Sequence, residues 1–153
     1  MNTEKKGHPA GLYLVFFTGM WERFSYYAMR GILVLYLTAT WLNGGLGYEK
    51  GFSTIVYGLA TGLCYFTPLF GGWLSDRYWG QRKSIVVGGF IMVLAQFLLF
   101  APELFTTVSP NLTPEQVAHN ELIGRIGLFA GLFLLIIGNG FFKPNISSIV
   151  GDL

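Results

Sequence analysis

An apolar run from Phe16 to Tyr36, FFTGMWERFSYYAMRGILVLY, carries Glu22, Arg23 and Arg30 in its middle. A helix needs about 20 predominantly apolar residues to cross a bilayer, and this run is long enough. A charged residue at the centre of such a helix costs about 2.5–3.5 kcal/mol on an insertion scale. Each neighbouring Leu, Ile or Phe returns only about 0.3–0.6 kcal/mol. Three charges therefore roughly cancel the insertion gain of the whole run. A chain keeps such groups in a span only where they face a wet or paired interior, and that placement marks an ion or substrate path.

The rest of the chain fits a membrane setting. Only 12% of its 153 residues are charged, while 52% are hydrophobic and 17% aromatic. Soluble domains average about 25% charged, so a polytopic membrane protein is expected. A net charge of +2 gives no basic surface for a nucleic acid, which is not expected as a partner. Cys64 is the single cysteine and reads as a small packing residue. No Cys/His cluster offers a metal site. With no nucleophile–base pair or phosphate loop either, neither an enzyme nor a cofactor is expected. A signal peptide, with Lys5 and Lys6 as its basic start, is the competing reading of the first run. That run is too long and too charged for one, and no small-residue cleavage site follows.

Four helices are expected, at about 10–38, 52–74, 84–101 and 121–150, separated by polar connections. WLNGGLGYEK, from Trp41 to Lys50, is Gly-rich and reads as a loop, and SDRYWGQRK as a short turn. Pro102 to Asn120 holds three prolines with several Thr and Asn and reads as a longer loop. Pro68 falls near the end of the second helix, where it can bend it. Lys5 and Lys6 in the N-terminus, with Arg77, Arg82 and Lys83 in the second connection, place both termini in the cytoplasm. The first connection offers only Lys50, and the third carries Glu103, Glu115 and Glu121. Four helices are few for a cavity-lined transporter, so an N-terminal piece of a longer protein is expected.

Residues three or four apart share a helix face. Gly19, Arg23, Tyr26, Tyr27 and Arg30 form one stripe, with Glu22 beside it. Guanidinium groups bind carboxylates bidentately, and phenols donate hydrogen bonds without adding charge. The stripe therefore suits a carboxylate-bearing ligand, and Glu22 is a candidate for proton exchange. The alternative is a structural ion pair that only orients the helix; it leaves Arg30 and the tyrosines without a purpose. A second site lies in GNGFFKPNISS, where Lys143 precedes a helix-bending Pro144. At about 1.5 Å per residue, Glu22 lies roughly 18 Å and Lys143 roughly 10–14 Å from the cytoplasmic ends, so tilt brings them level. Lys143 either joins the cavity or snorkels to the interface. Asn145 contacts ligand, caps the helix or bonds across helices. Tyr65 lines the cavity or packs, and Lys50 is a solvated residue or half of an outer gate.

Two patterns coincide with a known family. GGWLSDRYWGQRK, from Gly71 to Lys83, resembles the loop between helices two and three of the major facilitator superfamily. In that loop Gly72 would permit close helix approach and Asp76 would meet basic partners. Arg77, Arg82 and Lys83 would hold the inward side around Gly80. GMWERFSYYAMR is similar to the ExxERFxYYG motif of the proton-dependent oligopeptide transporters, and GNGFFKPN to that family's helix-four lysine region. The resemblance covers essentially the whole chain. It implies four transmembrane helices of the N-terminal six-helix bundle of a major facilitator fold, all-α, with a site between two bundles.

The implied function is symport of di- and tripeptides across the cell inner (cytoplasmic) membrane, multi-pass with the N-terminus cytoplasmic, driven by the proton gradient. Glu22 and Arg23 would take part in proton coupling. Arg23, Tyr26, Tyr27, Arg30, Tyr65 and Lys143 would line the peptide site, and Asn145 is the further candidate there. Partners would be peptides, the lipid bilayer and the remaining helices of the transporter. A facilitator for another solute and a non-transporting fragment or assembly subunit are the alternatives. Two positions depart from the motif: Gly19 replaces its first glutamate and Ala28 its glycine. The first loss would weaken or abolish proton-driven uptake while peptide binding persists. The second adds a methyl group at a helix contact.

Overall fold

The computed structural model describes residues 10–106, 109 and 111–152. Lys5 and Lys6, part of the orientation reading, lie outside them. The described residues form four helices, α1 (Ala10–Thr38), α2 (Lys50–Leu74), α3 (Gln81–Phe105) and α4 (Pro114–Asp152). A short 3-10 turn, Trp41–Asn43, sits between α1 and α2, and a π-helical turn, Ser75–Trp79, joins α2 to α3. By length and composition three helices can cross a membrane: α2 with its following turn, α3 and α4. α1 is as long but is not among them, because Glu22, Arg23 and Arg30 lower its mean hydropathy. Its place in a bilayer depends on partners for those charges.

α4 starts at Pro114, earlier than the expected 121, for a local reason. The Thr113 N–H donates to Gln116 Oε1 at 3.0 Å, and the Gln116 N–H donates to Thr113 Oγ1 at 3.3 Å. This is a reciprocal capping box. Pro114 takes the first helical position, where a missing N–H is not needed. Proline density reads as loop, but this proline begins a helix. α3 in turn runs 81–105 rather than 84–101 and contains Pro102.

α4 is the spine. It packs along α3 and α2, while α1 leans mainly on α2. Leu33 and Leu37 of α1, Ala60 and Cys64 of α2, and Leu128, Leu132 and Ile136 of α4 make the apolar core. Glycines set the close approaches: a Cβ at Gly88 would lie 2.9 Å from the Gly138 carbonyl oxygen, and one at Gly138 would lie 2.7 Å from Met92 Cγ. Small residues at such contacts let membrane helices approach closely.

The three prolines inside α2, α3 and α4 follow one rule. Each lacks an N–H and so frees the carbonyl four residues earlier, which in lipid must find another partner. Pro68 frees Cys64 O, which accepts from Asn139 Nδ2 of α4 at 3.3 Å. Pro102 frees Leu98 O, over which the backbone of Gly127 lies. Pro144 frees Gly140 O, and Gly71 of α2 is packed so tightly onto it that a Cβ would overlap it. Gly71→Val is accordingly expected to lower the stability of the folded protein by more than about 2 kcal/mol, because overpacking against backbone has no rotamer escape. Gly62→Ala, where nothing lies within 4 Å, should instead be tolerated, stabilising by up to about 1 kcal/mol through helix propensity. Thermal unfolding of the detergent-solubilised full-length protein compares the two; equal midpoints would reject the packing account.

Candidate functional site

Tyr26 of α1 is the hinge of the polar cluster. It is only 5% exposed, yet cations from two helices approach its ring. The Arg30 guanidinium lies 5.6 Å from its centroid and Lys143 Nζ of α4 also 5.6 Å. Lys143 sits closer still to Tyr65 of α2, 4.8 Å from that centroid. The Tyr26 and Tyr65 rings meet edge to face at 6.5 Å. Arg30 also reaches α2, donating from Nε at 3.0 Å and from Nη2 at 2.7 Å to Tyr57 Oη. Three helices thus converge through two cations and three phenols.

The manner of holding these cations matters. A cation over a desolvated aromatic face gains about 2 kcal/mol or less, and a phenol hydroxyl accepts without neutralising. Among the described residues no ion pair joins Arg30 or Lys143 to an acid; the ion pair present is Arg125–Glu121, on the far part of α4. The cluster therefore holds positive charge that no salt bridge among the described residues pairs, beside phenol hydroxyls. Such a surface has its best partner in an anion with several acceptor atoms.

Glu22 is half-buried, and the cations acting most strongly on its carboxylate are Lys143, then Arg23. It also borders a crevice of about 560 Å³ between α1 and α3, shared with Thr18, Ser25 and Gln96. Gln96 Nε2 donates there to Ser25 Oγ at 2.6 Å. Arg23 is exposed on the four-helix unit, with no hydrogen bond or ion pair among the described residues. Tyr27 is 57% exposed, its ring 5.6 Å from that of Tyr26. Nothing lies within 4 Å of a Cβ placed at Gly19.

Asn145 stands apart from the cluster. It is buried, accepts from Ser75 Oγ at 2.6 Å and donates from Nδ2 to Phe141 O at 2.6 Å. Both ends of its amide are thus engaged in the α2–α4 seam. Near the end of α2, Gly72 lies against the Pro144 ring, 3.3 Å from where its Cβ would be. Gly80 holds φ +77 and ψ 152, a conformation that only glycine takes readily. Arg77 lies 5.9 Å from the Trp73 centroid and 5.8 Å from that of Tyr78, while Asp76, Arg82 and Lys83 are exposed. Lys50 is exposed at the start of α2.

Two polar residues were not singled out by sequence. Tyr57 stands eight residues before Tyr65, two helical turns away on the same face, and that spacing was a usable signal. Asn139 lies one turn before Lys143, and Pro68 supplies its reason: it leaves the Cys64 carbonyl for Asn139 to satisfy.

Known proteins resemble this chain over nearly its whole length. The POT family profile matches residues 82–153. The di-/tripeptide transporter of Lactococcus lactis subsp. lactis (strain IL1403) is 39% identical over 155 residues, covering 99% of this chain and 27% of that protein. The uncharacterized transporter YclF of Bacillus subtilis (strain 168) is 37% identical over 147 residues, covering 96% of this chain and 26% of that protein. A crystal structure of peptide transporter POT in complex with alafosfalin matches with a TM-score of 0.79 and 36% identity, covering 97% of this chain and 26% of that one. A POT family transporter in complex with 5-aminolevulinic acid matches at 0.78 and 34%, with the same coverage. The chain spans about a quarter of the length of these relatives. Matched by that profile over its C-terminal part and similar over nearly its whole length to these transporters, this chain belongs to the POT family.

Proposed function

We propose that this chain supplies part of the peptide site of a proton-coupled symporter for di- and tripeptides, working with helices of a longer protein in the cytoplasmic membrane. The observation that carries the reading is the convergence of Arg30 and Lys143 on Tyr26, Tyr57 and Tyr65, with no salt bridge to either cation among the described residues. A peptide's terminal carboxylate is the complement of that surface, and its backbone offers further acceptors to the phenols. Glu22, within the field of Lys143 and Arg23, is the carboxylate through which a proton would be exchanged as peptide enters and leaves. The proton gradient supplies the driving force, and no cofactor takes part. The exposed Arg77, Arg82 and Lys83 of the second connection support a cytoplasmic placement of that turn and, with it, of the N-terminus.

Liganded relatives support the chemistry. The complexes of the matching transporters with alafosfalin and with 5-aminolevulinic acid pair this scaffold with small acidic ligands. The direct test is uptake of labelled dipeptide by proteoliposomes holding the full-length protein, with and without an inward proton gradient. Saturable uptake, inhibited by unlabelled di- and tripeptides, is expected. Uptake of another organic acid that dipeptides fail to inhibit would replace the peptide reading with that of a facilitator for a different solute.

A further inference from the structure

The α2–α4 seam holds polar contacts that bracket Lys143 without touching the ligand face. Asn139, one turn before the lysine, donates to Cys64 O. Thr67 Oγ1 of α2 donates to Ile136 O at 3.0 Å. Beyond the lysine, Asn145 is 1% exposed and takes the hydroxyl of Ser75, itself fully buried, at 2.6 Å. Between these points Gly71 sits on the carbonyl freed by Pro144, and Gly72 on the proline ring. A helix that has lost one of its own hydrogen bonds at Pro144 bends more easily there than elsewhere. Its direction past the proline is then fixed by whatever grips it from outside.

We propose that the Ser75–Asn145 hydrogen bond is a positioning joint: through it, the first residue of the α2–α3 turn sets where α4 presents Lys143. Asn145 is thus a positioning residue rather than a ligand contact, since neither end of its amide is free. The joint lies at the mouth of the turn that contains Asp76 and Arg77 and is closed by Gly80. Any rearrangement of that turn pulls first on Ser75 and then, two residues from Asn145, on the lysine. The same joint fixes the height of Lys143 against Tyr65 and Tyr26. Its effect on affinity rests on the peptide reading above; its effect on geometry does not.

The test has two arms in the full-length protein. The first is ligand-free. In a Cys64→Ala background, the rate at which a water-soluble maleimide labels Lys143→Cys is compared with and without Ser75→Ala, with Arg125→Cys as a remote reference. A change of at least about threefold at position 143, with none at position 125, is expected, and an unchanged rate at 143 overturns the joint. The second arm measures dipeptide uptake. Ser75→Ala and Asn145→Leu should each raise the apparent KM about tenfold, equal to about 1.4 kcal/mol, with the maximal rate per folded carrier within about twofold. The double variant should be no worse than Asn145→Leu alone, because Ser75→Ala removes only a bond that Asn145→Leu has already removed. Loss of maximal rate at unchanged KM, or additive effects, would make the contact merely structural and overturn the proposal. A parent that carries no dipeptide defeats the peptide reading alone, since the labelling arm still decides the joint.

Discussion

Gly19→Glu in the full-length carrier is expected to raise uptake driven by an inward proton gradient about tenfold, within the usual range of coupling between two ligands on one protein. The reason lies in what α1 lacks. Position 19 is one turn before Glu22 and Arg23, on the stripe that continues to Tyr26 and Arg30. Arg23 has no hydrogen-bond or ion-pair partner among the described residues, and a glutamate four residues N-terminal to it stands in the favoured orientation for pairing. The site has room, with nothing within 4 Å of a Cβ at residue 19. Substitution also removes a helix-interior glycine, worth up to about 1 kcal/mol of helix stability. Stability alone would therefore improve the carrier, so the control is Gly19→Gln, which brings the same propensity without a titratable group. Exchange of peptide across the membrane without a gradient should be equal in all three proteins. If Gln matches Glu in gradient-driven uptake, the missing carboxylate is not what limits coupling here.

The sequence announced this chemistry more clearly than it announced the frame. Glu22, Arg23 and Arg30 within an apolar run, and Lys143 before a proline, are expensive in a bilayer and therefore conspicuous. Lys143 and the α1 stripe do share one neighbourhood, with the Tyr26 ring as their common neighbour. Less visible were features whose meaning depends on a second helix. Asn145 and Lys143 are two residues apart, yet one faces the seam and the other the phenols, and only the position of Ser75 separates those roles. Tyr57 was legible by its spacing from Tyr65, but a tyrosine in a membrane helix has many uses until an arginine is seen to bond it. The start of α4 was written plainly in Thr113-Pro114-Glu115-Gln116, a cap signal masked by the surrounding proline-rich stretch. That the carbonyls freed by Pro68, Pro102 and Pro144 each face a neighbouring helix is visible only in three dimensions.

Lys143→Gln is expected to weaken binding of a free-carboxylate dipeptide about a hundredfold, while weakening its C-terminal amide by less than about threefold. A charge-assisted hydrogen bond is worth about 1.5–3 kcal/mol, and a hundredfold is about 2.8 kcal/mol. Held 4.8 Å from one tyrosine ring and 5.6 Å from another, the lysine has surrendered little of its charge and keeps donors for a ligand. Arg30 is already committed to Tyr57, so it cannot turn to compensate without breaking those bonds. Lys143→Arg should recover only part of the affinity, because the planar guanidinium does not match a site shaped around a compact ammonium. Comparing acid with amide matters more than either affinity alone: a lysine that merely stabilised the helix, or that reached out to the interface, would cost both ligands equally. Equal losses for the two ligands, measured by equilibrium binding to the purified carrier, would remove Lys143 from the carboxylate subsite and leave Arg23 and Arg30 to hold the anion.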